Sequence, residues 1–175
     1  MPVKFRIINR GNRPIYLQGI RQDQDRPLLN IFYLGATQGW KPFFNYLPCD
    51  LPQCHELGLP EKICPMLVWF PIFLGPAGTP EAVNEVFWDG RLYERSEAMF
   101  RTNKRGQYCY KSFVPTEGTL HVEVEYSETL SENKPGRIGS RARSAIEFTL
   151  PPKQPLMEIY IPDDFLGKES PKNVP

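Results

Sequence analysis

Three cysteines, Cys49, Cys54 and Cys64, fall in one proline-rich stretch with His55 beside the second, and Cys109 follows in a segment of strand-like composition. Thiols and an imidazole in one loop can bind a metal or, in the case of the thiols, oxidise to disulfides. Structural zinc sites use short C-x₂₋₄-C knuckles in pairs, whereas the spacings here are C-x₄-C and C-x₉-C. A Cys₃His zinc set from Cys49, Cys54, His55 and Cys64 is therefore disfavoured. A blue-copper site needs two histidines, a cysteine and a weak axial ligand. Only His55 and His121 exist, and no methionine follows Cys109 and His121 at a fitting distance. No metal and no cofactor is expected. The expected state of Cys49, Cys54, Cys64 and Cys109 is two disulfides, with unpaired buried thiols as the alternative. Three connectivities are open. Cys54 with Cys64 would close a short loop and Cys49 with Cys109 would tie that loop to the core, each bridge contributing about 2 to 4 kcal/mol.

Catalysis has little to work with. A nucleophilic cysteine needs a histidine base and an orienting third group, and nothing in the spacing sets His55 or His121 against a thiol. G-x-S-x-G, H-E-x-x-H, phosphate-cradling and dinucleotide motifs are missing from the sequence. Glu123 and Glu125 share one face of a strand, as a carboxylate pair for glycoside hydrolysis would, but alternate glutamates are also ordinary solvent-face chemistry. No enzymatic activity is expected.

Recognition is better served. Trp40, Phe43, Phe44 and Tyr46 crowd into the start of the same irregular stretch. They read either as a small core under a long loop or as an exposed patch for a protein or glycan, since aromatic rings dominate interface energetics and stack on sugars. The formal charge is +1, from 21 basic and 20 acidic side chains, so no global field recruits nucleic acid. Arg137-Ile-Gly-Ser-Arg-Ala-Arg143 reads as a solvated loop. The longest apolar run, Met66 to Leu74, is broken by Pro71 and too short to cross a bilayer as a helix. The first residues lack the pattern of a signal peptide. Clustered cysteines nevertheless favour an oxidising compartment, so the expected location is periplasmic, secreted or cell-surface with the export signal removed, and cytoplasmic is the alternative.

The elements that must position these groups are short. Nineteen prolines and thirteen glycines leave little room for long helices. Val3 to Asn9 alternates apolar and polar residues over its first five positions, Arg10 to Pro14 breaks the run, and Ile15 to Ile20 resumes it, which predicts a hairpin. Leu28 to Leu34 and Trp69 to Leu74 follow as strands, the latter an edge strand because Pro71 cannot donate to a ladder. Val83 to Trp88 meets Asp89-Gly90, the pair that favours a tight hairpin, and Arg91 to Glu94 continues. Gln107 to Val114, Thr119 to Ser127, Ala145 to Leu150 and Leu156 to Ile161 complete the strands. In Thr119–Ser127, Leu120, Val122, Val124 and Tyr126 point one way and His121, Glu123 and Glu125 the other, predicting one wet face.

Eight to ten short strands predict an all-β, antiparallel β-sandwich of immunoglobulin-like or jelly-roll type. One domain spans 1–162, with an irregular Cys/Pro-rich insertion at 35–65 and a frayed tail at 163–175. Asn9 to Leu17, the cysteine-rich insertion, Gly75-Pro-Ala-Gly78, Val86 to Tyr93 and Gly118 to Tyr126 together resemble uncharacterised secreted or lipid-anchored proteins of myxobacteria and related bacteria. The Trp88-Asp89-Gly90 turn and the final strands are also similar to the sandwich of bacterial intracellular proteinase inhibitors. The first resemblance implies a β-sandwich outside the cytoplasm and brings no activity. The expected function is a non-enzymatic binding module whose disulfide-pinned insertion presents Trp40, Phe43, Phe44 and Tyr46. The alternatives are a small metal-binding or redox protein using the Cys/His cluster and a proteinase inhibitor.

Overall fold

A computed structural model describes residues 2–21, 25–34, 41–43, 66–95 and 109–163. In chain order the strands are β1 (Val3–Asn9), β2 (Ile15–Arg21), β3 (Asp25–Pro27), β4 (Leu29–Leu34), β5 (Lys41–Phe43), β6 (Val68–Leu74), β7 (Val83–Trp88), β8 (Leu92–Arg95), β9 (Tyr110–Phe113), β10 (Gly118–Ser127), β11 (Ala142–Leu150) and β12 (Leu156–Ile161). Among the described residues the only helical piece is a 3₁₀ turn at Pro80–Ala82. The fold is all-β, as the density of turn residues requires.

Period-two patterning selects the buried faces. Val3, Phe5 and Ile7 of β1 are wholly buried, as are Leu120, Val122 and Val124 of β10. One sheet has the order β12-β1-β7. A second runs β3-β2-β10-β4-β5, with β6 added along β2 and β11 along β10, and β8 and β9 form a separate ribbon. Residues of the first two sheets share one apolar core, to which β8 adds Leu92. Nearly every pairing is antiparallel. The exception corrects the expected pattern: β1 and β12 run parallel, Phe5 opposite Met157 and Ile7 opposite Ile159. A parallel pair needs a long crossover, and almost the whole chain lies between these strands.

Both expected hairpins are absent. β1 pairs with β7 and β12, while β2 pairs with β3, β6 and β10, so Arg10–Pro14 carries the chain from one sheet to the other. Asn9 makes that corner. Its Nδ2 donates to the carbonyls of Arg13 and Gly75 at 2.7 and 2.8 Å, and its Oδ1 accepts from Gly11 N at 2.9 Å. The side chain thus replaces the ladder bonds a tight hairpin would have made. At the second site, Gly90 takes the expected positive φ of 85° and Asp89 Oδ1 accepts from Arg91 N. Trp88 Nε1 also donates to Arg91 O, at 2.7 Å. Yet β7 joins β1 whereas β8 joins β9. The Asp-Gly turn forms locally, but burying Trp88 and Leu92 in the shared core sends the flanking strands apart.

Asn9 is 1% exposed, so Asn9→Ala strands two carbonyls and one amide that it now satisfies. Loss of about 2 to 3 kcal/mol is expected in urea unfolding. A change below about 0.5 kcal/mol would mean that water or a rearranged corner replaces those bonds.

The edge assignment of the Pro71 strand is met: among the described residues β6 pairs only with β2, Pro71 opposite Gln18. Gln18 is wholly buried beneath the 128–141 loop. Its amide donates to Gly136 O at 3.1 Å and accepts from Ile138 N at 3.3 Å. Arg137 lies over the Trp69 ring at 3.4 Å, and burial there lowers the guanidinium's pKa from its ordinary value. Of the 137–143 segment expected to be a solvated loop, Arg137 and Ile138 are docked on the sheet and residues 142 and 143 begin β11, while Ser140 and Arg141 are exposed as expected.

Candidate functional site

The densest polar arrangement among the described residues lies on the outer face of β4, β10 and β11. Alternation on β10 turns Leu120, Val122 and Val124 into the core and leaves His121, Glu123 and Glu125 on the opposite side. Ladder register then sets Phe32 and Glu147 on either side of His121, and Arg143 opposite Glu125. The face expected to be wet is partly sealed. Glu125 is 7% exposed because Arg141 and Arg143 donate to its two oxygens at 2.9 and 3.2 Å. The strand face is covered by its own ion pairs, which supply the hydrogen bonds a buried carboxyl needs.

His121 stands between two carboxylates, Nδ1 at 2.9 Å from Glu147 Oε1 and Nε2 at 3.1 Å from Glu123 Oε1. Phe32 meets the imidazole edge-on at 5.8 Å between ring centres. Glu123 Oε2 is buried without a hydrogen bond, although Arg143 Nη1 approaches to 3.4 Å as an ion pair. Glu123 and Glu125 are thus each paired with arginine.

The outer face of β12-β1-β7 is organised differently. Lys4 and Arg6 of β1 pair with Glu85 of β7, and Arg6 also reaches Glu158 of β12 at 3.5 Å. Hydrogen bonds from Lys4 and then Arg6 hold the Glu85 carboxyl below its usual range. Hydrogen bonding to Glu158 raises the Tyr160 phenol, beside which Arg10 stacks at 3.4 Å from the ring centre. Phe87 is 67% exposed next to this ladder. Where Arg10–Pro14 crosses between the sheets a shallow depression, with about 230 Å³ of empty space open to solvent, is lined by Asn9, Arg13, Glu128 and Asp163 among others. Its charged groups are already engaged, Arg13 with Glu128 and Asp163 Oδ1 with the N–H of neighbouring Asn12.

Of the residues singled out from sequence, Trp40, Phe44, Tyr46, Cys49, Cys54, His55 and Cys64 lie outside the described residues. Phe43 is the last residue of β5 and is registered opposite Ile31, with Pro42 opposite Phe32. Of the aromatic run, Phe43 thus lies on the strand paired with β4, which carries Phe32. Cys109 is wholly buried just before β9, and no free cysteine occurs among the described residues. Cys109 leads into the β8-β9 ribbon whereas His121 lies on β10 of the second sheet, and no group of three His, Cys, Asp or Glu side chains among the described residues could hold a metal.

Sequence reading missed Arg141, Arg143, Glu147 and Phe32 as partners of the β10 face. The i, i+2 spacing of Arg141 and Arg143 was the available signal, since it places both on one side of an extended chain. No protein-family model, curated protein or solved structure matches this chain.

Proposed function

We propose that this chain is a non-enzymatic, extracytoplasmic binding module, a β-sandwich of immunoglobulin-like or jelly-roll type whose 35–65 insertion offers Trp40, Phe43, Phe44 and Tyr46 to a protein or glycan. The observation that carries this reading is the pairing of β5 onto β4, which roots the aromatic run on the last strand at one side of the second sheet. A rigid rim strand supplies the fixed base that a recognition loop requires. Cys109 is wholly buried and is not a free thiol, which supports a disulfide at that position; the pairing that belongs to this reading is Cys49 with Cys109 and Cys54 with Cys64. Such cross-links lower the conformational entropy lost on binding. The resemblance to secreted and lipid-anchored bacterial proteins supports an oxidising location.

The test compares wild type with a Trp40→Ala/Phe44→Ala double variant on a glycan array and against immobilised cell-surface proteins, each with and without reductant. Loss of the two anchors is expected to weaken binding at least about tenfold, and reductant to weaken wild type alongside a mass gain that reports opened disulfides. Undiminished binding by the double variant, or four alkylatable thiols in unreduced protein, would overturn the proposal.

A further inference from the structure

A carboxylate oxygen only accepts hydrogen bonds, and a neutral imidazole carries one N–H and one lone pair. Both ring nitrogens of His121 face carboxylate oxygens, Glu147 at 2.9 Å and Glu123 at 3.1 Å. Only the doubly protonated ring satisfies both contacts. Among the described residues the charged groups around this ring are Glu123 and Glu125 on its own strand and Glu147, Arg143 and Arg141 on or beside β11. The arginines are engaged with Glu123 and Glu125. From β4 the neighbours are Phe32 and, opposite Glu123, Asn30, neither of which titrates, and Lys41 of β5 is registered opposite Tyr33.

We infer that the outer face of β10 and β11 is a proton-dependent clamp, closed by the His121 imidazolium, which on deprotonation keeps Glu123 and lets go of Glu147. The asymmetry follows from burial. Glu123 is 17% exposed and already has one buried oxygen without a hydrogen bond, whereas Glu147 is 58% exposed and can turn to water. The cheaper bond to lose is the one that water replaces. The proton therefore leaves from Nδ1 to solvent, the lone pair stays on Nδ1, and the Nε2–H bond to Glu123 remains. Because Phe32 packs against the same ring and pairs with Pro42 of β5, the clamp sits at the base of the 35–65 insertion. Its chemistry is independent of whether that insertion binds a partner.

The clamp contributes to stability while His121 carries both protons and loses that contribution as pH rises through its deprotonation. Ring ¹⁵N–¹H correlation spectra of the whole chain, recorded from about pH 5.5 to 8.5 with His55→Gln to separate the two histidines, should show both His121 nitrogens protonated at the acid end and the Nε2–H tautomer at the alkaline end. In urea unfolding, the deficit of Glu147→Gln against wild type should be largest at the acid end and shrink as pH rises. An Nδ1–H tautomer, a ring neutral throughout this range, or a deficit that does not change with pH would overturn the inference.

Discussion

Phe5→Ala is expected to cost about 3 to 5 kcal/mol of folding stability, read by urea or thermal unfolding. Phe5 is wholly buried in the centre of β1, opposite Met157 on one side and Val86 on the other. Its ring centre lies 6.4 Å from that of Trp88 in its own sheet and 6.2 Å from that of Phe148 on β11. It therefore bridges the two sheets across the core. Truncation removes the transfer energy of the ring and leaves a cavity between sheets whose hydrogen-bonded backbones cannot move together to fill it. Most domains are stable by only about 5 to 15 kcal/mol, so this one change takes a large share. Phe87→Ala is the control. At 67% exposure its loss should stay within about 0.5 kcal/mol. Equal effects at the two positions would show that Phe5 is not a core contact between sheets.

Gly136→Ala is expected to destabilise the protein by about 2 to 5 kcal/mol. The residue has φ of 74°, and a Cβ there would run into the carbonyl oxygen of Trp69. The obstruction is backbone of an edge strand, so no side-chain rotation relieves it. Relief requires the 128–141 loop to lift from β6, which breaks the bonds of the buried Gln18 to Gly136 and Ile138 and unstacks Arg137 from Trp69. Gly78→Ala separates the two causes. Gly78 has φ of 84° with nothing near its would-be Cβ, so only the conformational cost of about 1 to 2 kcal/mol applies. Comparable losses in calorimetry at both glycines would mean that the loop is not held against β6 as described.

Much of the strand set was legible from local pattern. Val3 to Asn9 and Leu156 to Ile161 begin and end where the sequence predicts strands, and in both every second side chain is buried. Pro71 marked an edge for an equally local reason, its missing N–H. Reading failed where partners are distant in sequence. Asp89-Gly90 supplied the turn it promises, but the choice between pairing β7 with β8 or with β1 belongs to the core that Trp88 and Leu92 enter. Likewise Arg10 to Pro14 looked like a hairpin loop until Asn9 was seen to bond across to Gly75.

The same division runs through the candidate site. Sequence alone placed His121, Glu123 and Glu125 on one face of a strand, since the two-residue period is a property of the extended chain itself. What covers that face was decided by register: Glu147 beside His121, Arg143 beside Glu125, and Phe32 against the imidazole all depend on which strands flank β10. Register is set by burying the opposite face in a common core, a condition on the whole chain at once. Composition and period thus determined an all-β protein with short strands and a polar face on β10. Tertiary pairing alone turned that polar face into a closed network with a histidine held between two carboxylates.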